Sequence, residues 1–148
     1  MNDSVPVAGA AAIVFDDHGR VLLVKENYGR HRWSLPGGAI EQDETPEEAV
    51  IRETLEETGL VVGIDHLVGE YRLDDDFTVF AFSCTVTAGT SAVLPTGEIA
   101  AVTWHPANDL PHPRSNVLHY AVPDALAGHR DRFRRVRRLM HEHFDVSD

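Results

Sequence analysis

Cysteine is nearly absent: Cys84 is the one thiol in 148 residues, so no internal disulfide framework exists. No CxxC pair or Cys/His spacing suggests zinc. Lysine is equally scarce, Lys25 being the only one. No apolar run approaches the length of a membrane span, and the start, MNDSVPVAGAAAIVF, lacks a basic leader before its short apolar stretch. The expectation is a reduced, cytoplasmic protein with no membrane partner. Positive charge is in deficit too, with 13 Lys+Arg against 24 Asp+Glu and a net charge of −11. An acidic body repels a bare phosphate backbone, which argues against nucleic acid as a partner. Phosphates remain accessible to such a body if a divalent cation bridges them to carboxylates.

What is present is an ordinary globular composition, 43% apolar and 25% charged, at a length that suits one domain spanning residues 1–148. Ala8–Phe15 and Val21–Lys25 read as strands around the turn Asp16–Arg20. Trp33–Leu35 reads as a short strand ending at Pro36-Gly37-Gly38, and Val61–Arg72, Phe77–Thr87 and Ile99–His105 as further strands. Asp74–Asp76 is a solvated connection. Asn116–Leu126 and His129–Phe144 read as C-terminal helices, the second an amphipathic one with Phe133, Val136 and Met140 opposite arginines. That arginine face balances the acidic body or forms a homodimer contact. The mixed order of strands and helices predicts an α/β sandwich.

The helix at 46–58 is signalled at both ends. Thr45-Pro46-Glu47-Glu48 is a capping box with proline in the first turn, and Gly59 supplies the left-handed stop. At about 100° per residue, Ile51 and Leu55 should form its apolar side, with Glu53, Glu56 and Glu57 gathered away from it. Three like charges within one turn repel one another by a few tenths of a kcal/mol per pair. Clustered carboxylates are what Mg²⁺ or Mn²⁺ requires. An acidic helix facing solvent is the plain alternative.

The upstream residues bear on that choice. From Gly38 the chain reads GAIEQDETPEEAVIRETLEETGL, which resembles the signature of the Nudix hydrolases. Gly38, Glu44, Arg52, Glu53, Glu56, Glu57 and Gly59 fall on its fixed positions and Leu60 on its last aliphatic one. Thr54 stands where that pattern has an aliphatic residue, and Asp43 where many relatives have glycine. Similarity extends over residues 8–110 and includes Trp33–Gly38 and Glu98-Ile99.

The resemblance implies a Nudix α/β/α sandwich with a mixed central sheet, and water attack on one phosphorus of a nucleoside diphosphate linked to another group. Glu53, Glu56, Glu57, the Gly37 carbonyl and Glu98 would hold Mg²⁺ or Mn²⁺. Arg52 would orient the glutamates, Glu44 would fix the loop before the helix, and Glu53 or Glu98 would take the proton. Lys25, Gly38 and Trp33 are candidate substrate contacts. Lys25 is otherwise an ordinary strand-end lysine, and Trp33 a core or cleft-wall aromatic. The simplest expected substrate is a nucleoside triphosphate, giving monophosphate and pyrophosphate. ADP-ribose, a nucleotide sugar, a capped RNA end or another diphosphate are rivals, and a binding module without turnover is the alternative from another class.

Overall fold

The computed structural model describes residues 8–73, 76–90 and 97–136. In chain order the elements are β1 (Ala8–Val14), β2 (Arg20–Glu26), β3 (Trp33–Ser34), β4 (Gly37–Ala39), α1 (Pro46–Thr58), β5 (Leu60–Arg72), β6 (Thr78–Gly89), β7 (Ile99–Pro106), α2 (Asn116–Leu126) and β8 (Arg132–Arg135).

β1 is buried along almost its whole length, and its side chains alternate between two cores. Ala10, Ala12 and Val14 face α1 together with Val50, Leu60 and Phe82. Ala11 and Ile13 face α2 together with Leu23, Tyr71 and Leu118. A strand buried on both sides is the mark of a central sheet with helices over each face. That sheet is mixed, in the order β4-β1-β6-β5-β8, with β1 parallel to β6 and antiparallel to β4. A smaller sheet, β3-β2-β7, lies beside it, so the turn at Asp16–Arg20 passes the chain from one sheet to the other. The architecture is the expected α/β/α sandwich.

Both ends of α1 form as the sequence predicts. Thr45 Oγ1 accepts from the Glu48 N–H at 3.0 Å, Glu48 Oε1 accepts from the Thr45 N–H at 2.9 Å, and Gly59 closes the helix at φ 79°. Its orientation differs from the expectation. The buried positions are Ala49, Val50, Thr54, Glu57 and Thr58, while Ile51 is half-buried and Leu55 is 44% exposed. Small residues at 49, 50 and 54 let the helix settle on the alanines of β1, and that rotation turns Glu57 inward and Leu55 outward.

The chain after α2 corrects a second expectation. Arg132–Arg135 is a strand parallel to β5, not part of a helix over His129–Phe144. The Val136 N–H donates to the Arg72 carbonyl at 2.8 Å, Val136 is buried, and Phe133 is 54% exposed. An edge of β5 left open by β6 is covered by β8. The alternation of a strand also puts Arg132 and Arg134 on one side, where both reach Asp124. Met140 and the rest of the expected helix beyond Val136 lie outside the described residues, as do Asp74 and Asp75.

Candidate active site

Gly37 and Gly38 on β4 are the point where α1 meets the sheet. A Cβ on Gly38 would come within 2.6 Å of the Glu53 carboxylate, and one on Gly37 would run into the Ala10 carbonyl. Only glycine lets a carboxylate and a neighbouring strand lie this close to the backbone. The Gly37 N–H donates to Glu57 Oε1 at 3.0 Å, which ties the far end of α1 to the same strand.

The carboxylates act on one another electrostatically. Glu57 is 9% exposed, and burial pushes its carboxyl up to about 8, with the Gly37 N–H opposing the rise and Glu53, Glu98 and Glu56 adding to it. Burial raises Glu53 as well, with Arg52 working against it and Glu56 and Glu98 with it. Glu98 therefore belongs to this electrostatic group although it is exposed and comes from the segment before β7.

Arg52 is the hub. Its Nε and Nη2 hold Glu44 at 2.7 and 3.0 Å, Nη1 reaches Glu53 and Glu56 at 3.2 Å each, and Nη2 also donates to the Ala39 carbonyl at 3.2 Å. Glu41 lies 3.7 Å from Nη1. Hydrogen bonding to Arg52 holds the Glu44 carboxyl below its ordinary value, and Glu44 also accepts from the Glu41 N–H at 2.9 Å. Glu44 thus braces the loop before α1, in which Asp43 takes the left-handed conformation at φ 66°. Among the described residues, no three His, Cys, Asp or Glu side chains converge closely enough to hold an ion as they stand. Glu53 and Glu56 are both turned toward Arg52.

Lys25 and Trp33 are brought together, but with each other. The Lys25 ammonium sits 5.1 Å over the Trp33 ring, and His105 meets that ring edge-on at 4.6 Å. The indole is thereby a packed wall held by a cation–π contact. Cys84 is buried and its thiol is pushed up to about 12 by burial, as suits a filler side chain.

Two residues near the site are not signalled in the sequence. Asn27 donates through its N–H to the Glu98 carbonyl at 2.8 Å and through Nδ2 to the Gly97 carbonyl at 3.2 Å, clipping the segment that carries Glu98 to the end of β2. Tyr28 follows it, half-exposed, its phenol raised by burial and by Glu26, Glu57 and Glu98. The Asn27 bonds join residues about 70 apart in sequence, which no local pattern encodes.

Comparison with known proteins agrees with the fold. The family model described as NUDIX domain matches residues 5–125. A MutT-like protein of Streptomyces ambofaciens is 35% identical over 126 residues, covering 84% of this chain and 78% of that protein. Among solved structures, an ADP-ribose pyrophosphatase from Streptococcus suis 89-1591 is 27% identical, with TM-score 0.71 over 85% of this chain and 97% of that one. A MutT NUDIX hydrolase from Burkholderia pseudomallei is also 27% identical, with TM-score 0.69 over 82% and 98%.

Proposed function

The chain belongs to the Nudix hydrolases, enzymes acting on diphosphate bonds, and from that premise we propose that it hydrolyses a nucleoside triphosphate to monophosphate and pyrophosphate. The observation that carries the reading is Glu57, a buried carboxylate that accepts from the Gly37 N–H and whose carboxyl is raised by burial and by Glu53, Glu98 and Glu56. A buried charge without compensation is costly, and a cation relieves the cost.

The donor set suits a hard divalent ion, because every candidate ligand is oxygen. Glu53, Glu56, Glu57 and Glu98 with the Gly37 carbonyl would hold Mg²⁺ or Mn²⁺. The bound ion supplies charge neutralisation at the diphosphate oxygens. Arg52 keeps Glu53 and Glu56 in place before loading and still has Glu44 as a partner if they turn away. Glu53 or Glu98 receives the proton of the attacking water as its oxygen bonds to phosphorus and the bridging P–O bond breaks, the electron pair leaving with pyrophosphate. The Streptococcus suis likeness favours a second reading, ADP-ribose as substrate, by the same bond cleavage.

Phosphate release from a panel of nucleoside triphosphates, nucleotide sugars and ADP-ribose tests this, each run with Mg²⁺, Mn²⁺ or EDTA. Inorganic pyrophosphatase in one arm and alkaline phosphatase in the other identify the leaving group. Metal-dependent release from the triphosphates with pyrophosphatase, and none without a coupling enzyme, supports the triphosphate reading. Silence from folded protein across the panel refutes it.

A further inference from the structure

Glu98 differs from the other carboxylates of the site in what holds its backbone. Glu53, Glu56 and Glu57 ride on α1, and Gly37 is paired within the central sheet, so regular hydrogen-bonded structure fixes each of them. Glu98 is exposed, precedes β7 and lies outside its ladder. Burial raises the carboxyls of Glu53 and Glu57 and the Tyr28 phenol, and the charge of Glu98 adds to each rise. A residue that acts on α1 from outside regular structure has to be ordered by something, or its ordering entropy is subtracted from the binding of any ligand.

The β2–β7 ladder stops just short of it. Ile99 pairs with Glu26 and Ala101 with Lys25, so Ala100 is the extra residue of a bulge, a feature that re-aims the end of a strand. One residue further along, Asn27 takes over. Its N–H donates to the Glu98 carbonyl at 2.8 Å and its Nδ2 to the Gly97 carbonyl at 3.2 Å. The Gly97 carbonyl belongs to the peptide plane that enters Glu98, and the Glu98 carbonyl to the plane that leaves it. One asparagine therefore grips both planes that flank the Glu98 Cα, and with them its φ and ψ. Gly97, at φ 82°, lets the chain turn into this grip. Asn27 is itself firmly founded. Glu26 before it is buried, its N–H donates to the Arg32 carbonyl at 2.9 Å, and its carboxylate accepts from Arg32 Nε at 3.3 Å.

Given the metal-dependent reading above, we propose that Asn27 is a positioning residue for the metal site: by holding both peptide planes around Glu98 it sets the reach of that carboxylate, and its side chain strengthens divalent-cation binding through Glu98 alone. The amide suits the task because it donates to a carbonyl, which an aspartate of the same shape does not. A partner that orients a metal ligand is worth about 10–100-fold in metal affinity. Asn27→Ala removes the Nδ2 bond and keeps the backbone one, so the low end of that range is expected.

The test is a double-mutant cycle read as Mn²⁺ dissociation constants, from the paramagnetic resonance of the free ion with no nucleotide present. Asn27→Ala should weaken Mn²⁺ binding about tenfold with Glu98 in place, and by less than about twofold in the Glu98→Gln background. An unchanged Kd with Glu98 in place overturns the proposal. An equal loss in both backgrounds also overturns it, because Asn27 then acts on the fold of the turn and not through Glu98. Glu57→Gln separates this inference from the reading beneath it. Mn²⁺ binding that Glu57→Gln abolishes and Asn27→Ala leaves intact removes the role of Asn27 and keeps the metal site. Mn²⁺ binding that follows the cycle without hydrolysis of any diphosphate keeps Asn27 and removes the catalytic reading. Folded wild-type protein that binds no Mn²⁺ removes both.

Discussion

Arg52 and Asp124 are each the hub of an ionic cluster, and the proportions are inverted. Around Arg52 one guanidinium serves Glu41, Glu44, Glu53 and Glu56, while Glu57 sits beyond its reach on the Gly37 N–H. Around Asp124 one carboxylate, 6% exposed, is shared by Arg134 at 2.7 Å, Arg132 at 3.8 Å and the Tyr71 hydroxyl at 2.8 Å. Burial works against the charge of Asp124, but hydrogen bonds from Arg134 and Tyr71 outweigh it and hold the carboxyl below its ordinary value. The over-neutralised cluster ties α2 to β5 and β8 and needs nothing further. The under-neutralised one is left in want of positive charge, which suits a site completed by a ligand. Perturbed carboxyls are thus informative in their sign: Glu53 and Glu57 are raised at the candidate site, while Glu44, which braces it, and Asp124 at the fastener are lowered.

The largest expected effect comes from breaking the first cluster. Glu57→Gln keeps the shape and removes the charge, and should lower metal-dependent kcat by more than about 10²-fold, since even partners of metal ligands are worth 10–100-fold. Its melting temperature in EDTA should not fall. Full activity with Mg²⁺ would remove Glu57 from the proposed ligand set. Asp124→Ala is the mirror experiment. It strands Tyr71 and Arg134 and should cost about 2 kcal/mol, below the usual 3–5 for a buried pair because the arginines are partly solvated. Urea unfolding measures the loss, and kcat of the folded fraction should be unchanged. A drop in kcat equal to that of Glu57→Gln would mean that the two clusters are coupled.

Acid and base should act on the two clusters in opposite directions. The Glu57 carboxyl titrates at about 8 in the folded chain against an ordinary 4.5, so the folded state holds the extra proton across that window. Stability in EDTA then falls as pH rises from 4.5 through 8, and Glu57→Gln flattens the slope. Mg²⁺ should offset that fall increasingly toward pH 8. Asp124 has a folded value below its ordinary 3.8, so its contribution is complete above 3.8 and is lost as pH falls through the folded value. Melting curves at a series of pH values, with EDTA and with Mg²⁺, read both slopes.

How far these regions are legible in the sequence follows from how local their interactions are. The caps of α1, the spacing of its glutamates and the pairing of Arg52 with Glu53 and Glu56 lie within one or two turns, and each is visible as a pattern. The rotation of α1 is not, because Ile51 and Leu55 are as apolar as Val50, and the choice is made by the alanines of β1 some forty residues earlier. β8 is hidden for a similar reason. A run of arginines interrupted by Phe133 and Val136 fits either period, and the edge of β5 that decides between them is formed about sixty residues before. The Asp124 cluster depends on that strand, so it was out of reach for the same cause. The grip of Lys25 on Trp33 likewise needs the pairing of β2 with β3.

Thr54 offers the mildest separation of site from scaffold. It lies on the core side of α1, fully buried, and its hydroxyl has no hydrogen-bond partner, while Glu53 beside it belongs to the carboxylates of the site. An unpaired hydroxyl in an apolar core loses its solvation and gains nothing in return. Valine has nearly the same shape, so Thr54→Val should fill the same space without that penalty and raise stability by about 1 kcal/mol, read as a shift of the urea midpoint at unchanged slope. If the tension of this helix resides in its carboxylates alone, the variant keeps the wild-type kcat and the same fall in stability with rising pH. A fall in kcat would show that the two sides of α1 are not independent, and that the packing of position 54 against β1 helps to set where Glu53 and Glu57 meet the glycines of β4.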